Sequence, residues 1–542
     1  MSDRSRFFVL GAAFFVRNLS APSVLYGHDA DKLGIVNFPV SCSAEAQQGF
    51  NRAVAMLHNF WFPQAGNAFG EITKAEPGCA MAYWGLAMSL RANPLVGQPT
   101  AGVLKSGWEA VEKAKAAGAE KMLPRRLAER ERDYIAAIEE YYKDADKTDF
   151  QTRVLAYEKA MERLHSRYPE DIEAASFYAL ALNEAITALP ADKTYSRHLK
   201  AAEIAQKVLA KQPDHPGGLH YLIHSYDFPA LANRGVTAAN QYASVAPSAP
   251  HALHMPSHVY SMLGMWEESI RSNLTAVGVA KSYVHAMDFM AYAYLQLGQE
   301  RQAERLMNEA GALQKAGGSA VTRSPTGAAL TVHTAWAAIP ARFAIERGAW
   351  AEAAALELKP TSPPADAITH FTRAMGFAQL GDAANARKEI ERLQSLREEL
   401  LNRKDNYWAE QVDIQHKAAK AWVAHKEGKK ADAIAQMRSA ADLEDASEKH
   451  VAMENRLWPM RELLGELLLA LNQPGAALKE FETSLADSRN RLRGFHGAAK
   501  AAEMAGDRHK AAEFYRKLVA LTAKADSDRK EVQQAKAFLA IR

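Results

Sequence analysis

Residues 250–283 read PHALHMPSHVYSMLGMWEESIRSNLTAVGVAKSY. The stretch breaks at LGMWEES (263–269), where small residues make a turn and an aromatic opens a second run. Two runs about such a turn predict a helical hairpin. The 34-residue length repeats on both sides without a gap, in frames that start at Pro216, Pro250 and Val284. The anchors are Pro247 in the first frame, Gly264, Trp266 and Ala276 in the second, and Gly298 and Ala303 in the third. Related turns follow at LGQERQA (297–303), RGAWAEA (347–353), LGDAANA (380–386), EGKKADA (427–433), LNQPGAA (471–477) and AGDRHKA (505–511). An earlier copy runs through Ala65, Phe69 and Pro77. Abundant alanine and few β-branched runs favour helix throughout.

This pattern resembles the tetratricopeptide repeat, a 34-residue helix–turn–helix unit. The resemblance covers most of residues 46–542 and implies an all-α fold, a right-handed superhelical solenoid of stacked hairpins. One hairpin cannot bury its apolar face, whereas stacked hairpins share a continuous core. The expected organisation is a targeting segment over 1–27, an extension over 28–45 and a first solenoid over 46–311. An insertion over 312–333 and a second set of repeats over 334–542 follow; the period also breaks near 94–150. The blocks HYLIHSYD and PHALHMPSHVYSMLGMW, with AMAYWGLAMS (80–89) and RELLGELLLAL, further resemble a bacterial, often exported, group of such repeat proteins. That group carries no assigned activity.

The quoted stretch is also rich in histidine. Five of the 18 histidines fall between His220 and His258. His220 and His224 form an i, i+4 pair, and His251, His254 and His258 follow at i, i+3 and i+7, so each set shares a helix face. In the repeat frames His220, His224 and Asp227 take positions 5, 9 and 12, and His251, His254 and His258 take positions 2, 5 and 9. His285 and Asp288 take positions 2 and 5, with Tyr292 at 9. The resemblance implies that these positions line the concave groove, which puts six imidazoles and two carboxylates on one wall. Unpaired, such groups are costly to bury, and a metal removes that cost. Imidazole ligands suit copper, zinc or iron, and eight candidates exceed one four-ligand site, which suggests either a dinuclear centre or one metal whose remaining groups orient its ligands and contact substrate. The metal ligands are then His220, His224, His251, His254, His258 and His285, with Asp227, Asp288 and Tyr292 as candidates for the chemistry. Pro256 should kink or restart the helix that carries them. The competing reading is a polar groove for a peptide or anion, with some histidines bonded to the backbone.

A second candidate set lies in DLEDASEKH (442–450) and WPMRELLGELL (458–468). Glu448, His450, Arg461 and Glu462 could recognise substrate from the far wall of a curled superhelix; a solvated helix end is the bland alternative. Cys42 and Cys79 flank the first hairpin, either as a disulfide in an exported protein or as two buried thiols. Arg4 and Arg6 precede FFVLGAAFFV (7–16), which fits the apolar core of a secretory signal and is too short to span a bilayer. Cleavage near Gly27 would leave His28 close to the new terminus. The expected location is periplasmic or secreted, with cytoplasmic the alternative. A net charge of +3 over 542 residues argues against a general nucleic-acid binder. No later segment is apolar enough to be transmembrane. Three functions fit: a metal-dependent oxidoreductase or hydrolase acting on a small molecule or peptide in the groove, a non-catalytic scaffold for a peptide or partner protein, and a periplasmic metal carrier.

Overall fold

The three frames open helices where the period places them, at Pro216–Tyr226, Pro250–His254 and Val284–Gln296. Their second helices are Ala232–Val245, Trp266–Val279 and Glu300–Lys315. The structure, a computed structural model, describes residues 32–540 apart from 98, 120–124, 452, 454 and 455. The predicted targeting segment and His28 lie outside the described residues. Among those described, regular structure is α-helix with one 3-10 turn and no strand, an all-α solenoid of tetratricopeptide-like hairpins.

Each of the seven sequence turns has one residue in the left-handed region. These are Gly264, Gly298, Gly348, Gly381, Gly428, Asn472 and Gly506, with φ between 58° and 83°. Glycine reaches this conformation without a Cβ clash, and asparagine tolerates it better than most residues. Five residues after each turn residue stands Ser269, Ala303, Ala353, Ala386, Ala433, Ala477 or Ala511, all buried. A small side chain there lets the second helix close on the first. Pro256, lacking an N–H, splits the first helix of the second frame into Pro250–His254 and Pro256–Met262.

The break near 94–150 is filled by helices Ala101–Ala119 and Arg125–Tyr142. The break near 312–333 is a connection after Lys315, with a 3-10 turn at Val321–Arg323, leading into Ala329–Arg347. The N-terminal extension is an extended strap. Leu33, Phe38 and Val40 are buried, and Asn59 Nδ2 donates to the Leu33 carbonyl at 2.9 Å. Cys42 and Cys79 are disulfide-bonded, tying the strap to the start of Ala80–Leu90.

Apolar burial divides into a core over residues 33–260 and one formed chiefly by residues 328–538, with smaller clusters over 253–343 between them. The superhelix curls until these parts touch. Lys193 pairs with Glu448 at 2.7 Å, and Trp266 Nε1 donates to the Asn490 carbonyl at 2.8 Å. Asp526 N donates to the Gly298 carbonyl at 3.2 Å, and Arg529 pairs with Glu300 at 3.0 Å. A buried network joins Arg491 to Glu346 and Glu462, at 2.8 and 2.9 Å, and to the Tyr292 hydroxyl. The C-terminal repeats therefore fill the hollow of the curve, and the expected open groove is closed at the histidines. No helix of the described residues is long and apolar enough to cross a membrane.

Candidate metal centre

The six predicted histidines are all buried, with exposures from 0 % to 5 %. They form two triads. In each, three ring nitrogens lie within 4.8 Å of one another: His220, His224 and His251 in the first, His254, His258 and His285 in the second. The triads are copies of one another. Each takes the i, i+4 pair at positions 5 and 9 of one repeat and position 2 of the next. Every residue of the second triad stands 34 positions after its counterpart in the first. The duplicated histidine set is thus a product of the repeat itself. The triads adjoin, with His251 and His254 ring centroids 5.8 Å apart and His224 and His258 6.0 Å apart.

Each triad is covered by a phenylalanine. Phe60, in the left-handed region at φ 52°, stacks on His224 and His251 at 5.7 and 5.5 Å and sets its edge against His220. Phe289 lies 4.7 to 5.2 Å from His254, His258 and His285.

The hydrogen bonds on the far side of the rings fix the tautomers. Asn273 Nδ2 donates to the Ser269 carbonyl at 2.8 Å, which turns Oδ1 toward His254 Nδ1 at 2.6 Å. His254 must therefore carry its proton on Nδ1. His258 Nδ1 donates to Asp227 Oδ2 at 2.7 Å. Both Nε2 atoms are then lone-pair acceptors, yet they face each other at 3.0 Å. Two acceptors at that separation need a proton or a cation between them. While Asp227, approached by Lys449, is ionised, a proton would make one ring an imidazolium. Burial opposes that strongly: it pushes His254 down to about 4 and His258 well below its ordinary value, with neighbouring histidines adding to the fall in His258. A metal fits. With metal–nitrogen bonds of about 2.05 Å, a 3.0 Å separation corresponds to a ligand–metal–ligand angle of about 95°.

In the first triad His220 Nδ1 donates to the His58 carbonyl at 2.6 Å and presents Nε2 to His251 Nε2 at 3.1 Å. His251 Nδ1 meets the Tyr283 hydroxyl at 2.9 Å, which can donate or accept, so this pair also has a metal-free solution. Each triad includes a histidine with orphaned nitrogen: both nitrogens of His224 and Nδ1 of His285 are buried without a hydrogen-bond partner. These nitrogens are available to a ligand. Burial, with neighbouring histidine charge, holds His224, His251 and His285 well below the ordinary value and His220 at about 3, although its backbone bond to His58 opposes the fall.

A third group, His58, Glu173 and His215, also has three candidate ligand atoms within 4.8 Å. Its hydrogen bonds argue against a metal. His215 Nδ1 accepts from the Gly218 N–H at 3.0 Å, so Nε2 carries the proton and donates to Glu173 at 3.1 Å. His58 Nε2 lies 2.7 Å from the other Glu173 oxygen, and its Nδ1 lies 2.8 Å from the Tyr221 hydroxyl. Every ring nitrogen here is satisfied by protein. Its place in the fold is to hold the His58 carbonyl against His220.

The other predicted residues separate. Asp227 lies beside the second triad, bonded to His258 and approached by Lys449 Nζ at 3.4 Å; burial raises its carboxyl, with Lys449 opposing. Asp288 and Tyr292 occupy positions 5 and 9 of the third frame, where the earlier repeats carry histidine, but neither joins a triad. Arg342 engages Asp288 at 3.0 Å, and Arg491 reaches the Tyr292 hydroxyl. Glu462 belongs to the Arg491 network, whereas Arg461 is committed to Asp442, Asp445 and Glu480. Glu448 clasps Lys193 and Tyr195, and His450 is half-buried against Tyr407 and Trp408, where desolvation pushes it down to about 3. From that segment, whose mixed charges are evident in the sequence, it is Lys449 that reaches Asp227. Asn273, Tyr283 and Phe60 gave no sequence signal, since no spacing links them to the histidines.

No protein-family model matches this chain, and no curated protein is significantly similar to it. Among solved structures it is similar in fold to Cut9–Hcn1 of the APC/C hetero-tetramer, at 14 % identity over 91 % of this chain and 90 % of that one, with a TM-score of 0.33. The human IFIT1 dimer with m7Gppp-AAAA matches at 12 % identity over 82 % of this chain and 90 % of that one, with a TM-score of 0.40. A tetratricopeptide repeat protein from Parabacteroides merdae matches at 12 % identity over 67 % and 97 %, with a TM-score of 0.24. These likenesses concern the helical-repeat fold alone.

Proposed function

We propose that this tetratricopeptide-like solenoid houses a dinuclear transition-metal centre, one ion in each histidine triad. The observation that carries the reading is the His254–His258 pair, whose Nε2 lone pairs face each other at 3.0 Å while Asn273 and Asp227 hold both Nδ1 protons. The orphaned nitrogens of His224 and His285 support it. Copper, zinc and iron are the candidate ions. With three imidazoles per ion a coordination position is left for a reactant, which suits an oxidoreductase or hydrolase. Asp227 orients His258 and is the nearest carboxylate of the predicted set to serve as a base.

The scaffold alternative, with a peptide or partner protein in the concave groove, has the general habit of repeat solenoids behind it. It draws less support here, because the histidine wall is covered by Phe60, Lys449 and Phe289. A carrier would use the same triads without turnover. Export to an oxidising compartment is part of the proposal, supported by the Cys42–Cys79 disulfide and the apolar run at 7–16.

Elemental analysis of the full chain purified without a polyhistidine tag tests the centre. The expected content is about two transition-metal ions per chain, falling to about one in His285→Ala. Less than about a tenth of an equivalent, with no uptake on titration, overturns the proposal.

A further inference from the structure

We infer that the pair of ions is copper and that its ligand is dioxygen, bound between the two triads. The inference rests on the dinuclear reading above and adds the metal and the substrate class.

The argument starts from charge. All six ligands are neutral imidazoles, and neither triad contains a carboxylate. Two divalent ions would bring four positive charges into a site whose ligands are at most 5 % exposed. The carboxylate bonded to a ligand, Asp227, is already approached by the Lys449 ammonium at 3.4 Å. Buried charge without counter-charge is strongly disfavoured. Copper(I) halves the load, to one charge per triad. It is also satisfied by three nitrogen ligands, whereas six-coordinate iron would need three further groups per ion in a space walled by Phe60 and Phe289. The 34-residue duplication gives both triads the same ligand set, so both should take the same metal.

The ligand follows from access and shape. The ions would sit in adjoining triads, with His251 facing His254 and His224 facing His258 at ring separations near 6 Å. Aromatic rings close the outer sides. A small apolar diatomic can enter so buried a site without shedding a hydration shell, whereas a solvated anion must lose its own. The step balances without an outside reductant. Each copper(I) gives one electron, both become copper(II), and dioxygen accepts two electrons to become peroxide bridging the pair. The O–O bond order falls from two to one and no proton moves. Release reverses the step.

The test uses the untagged full chain, stripped of metal and loaded with copper(I) under anaerobic conditions, then opened to dioxygen. About two copper ions should bind, and about one dioxygen per pair should be taken up. A near-ultraviolet band absent from the metal-free and zinc-loaded protein should appear. The coupled copper(II) pair should give less than about a tenth of the paramagnetic signal expected of its copper content. His285→Ala, keeping the first triad, should hold one copper and lose dioxygen uptake. Two bound coppers with no uptake, or with the full signal of isolated copper(II), would overturn this inference and leave the dinuclear reading standing. Zinc bound at both triads with copper refused would do the same. Failure to bind any metal would remove the dinuclear reading, and this one with it.

Discussion

Replacing Asn273 by leucine should weaken metal binding far more than it weakens the fold. Asn273 Oδ1 holds the proton on His254 Nδ1 at 2.6 Å, and this keeps Nε2 free as a ligand. In the metal-free protein that arrangement is frustrated, because Nε2 of His254 faces the Nε2 acceptor of His258 at 3.0 Å. Leucine removes the constraint. His254 can then move its proton to Nε2 and donate it to His258, which recovers one hydrogen bond of about 1 kcal/mol. The loss of the Asn273 bonds costs a similar amount, so the metal-free variant should stay within about 1 kcal/mol of the parent. Metal binding must now displace that proton and proceed without an oriented ring. Loss of a hydrogen bond to a ligating histidine typically lowers affinity about 10- to 100-fold, or about 1.4–2.8 kcal/mol. Asn273→Asp keeps the acceptor and adds negative charge, so it should bind metal at least as tightly as the parent. The assay is a chelator-competition titration of each untagged variant, paired with urea unfolding of the metal-free forms. A shift of less than about threefold in the Asn273→Leu affinity, with the metal-free protein folded, would refute the tautomer argument.

Arg491→Met removes the nearest cation from Glu346 and Glu462, both essentially unexposed, leaving Arg493 at 4.0 Å from Glu462, and should destabilise the fold by about 3–5 kcal/mol in denaturant titration. Replacing the two glutamates by apolar residues in the same chain should restore most of the loss. The Cys42–Cys79 bond spans 37 residues, so Cys42→Ser with Cys79→Ser should cost up to about 4 kcal/mol, and reductant should shift the unfolding midpoint of the parent alone. Glu389 is buried, which would raise its carboxyl, but hydrogen bonds from His370 and Arg373 outweigh this and hold it below the ordinary range. A carboxyl with a depressed folded value stabilises above its unfolded value and loses that contribution as pH falls through the folded one. Glu389→Gln should therefore lose about 1–3 kcal/mol at neutral pH and show a flatter decline below about pH 4.5 than the parent. Equal slopes on that acid limb would show that the ion pair contributes nothing.

The repeat was legible because its signals are local. The left-handed turn at Gly298 and the buried Ala303 five residues on need only the few residues between them, and the same pair recurs at Gly428 and Ala433. The histidines were legible for the same reason, since i, i+4 spacing places His220 with His224 and His254 with His258. Their division into two triads was implicit in the 34-residue offset, but the chain also offered Asp288 and Tyr292 at equivalent positions. Nothing local says that Arg342 and Arg491 claim those two side chains. The third buried cluster was obscure because Glu173 and His215 carry no spacing that ties them to His58.

By itself, then, the sequence determined the hairpins, their turns and which histidines share a helix face. These follow from backbone conformation and side-chain periodicity over a few residues. Tertiary structure decided that the concave wall is closed, that Phe60 meets His220 and Lys449 meets Asp227 from about 160 and 220 residues away, and that Asn273 sets the tautomer of His254. Those contacts depend on superhelical curvature, the sum of a small rotation at every repeat. No single repeat encodes that sum, so no local pattern reveals where the far end of the curve will land.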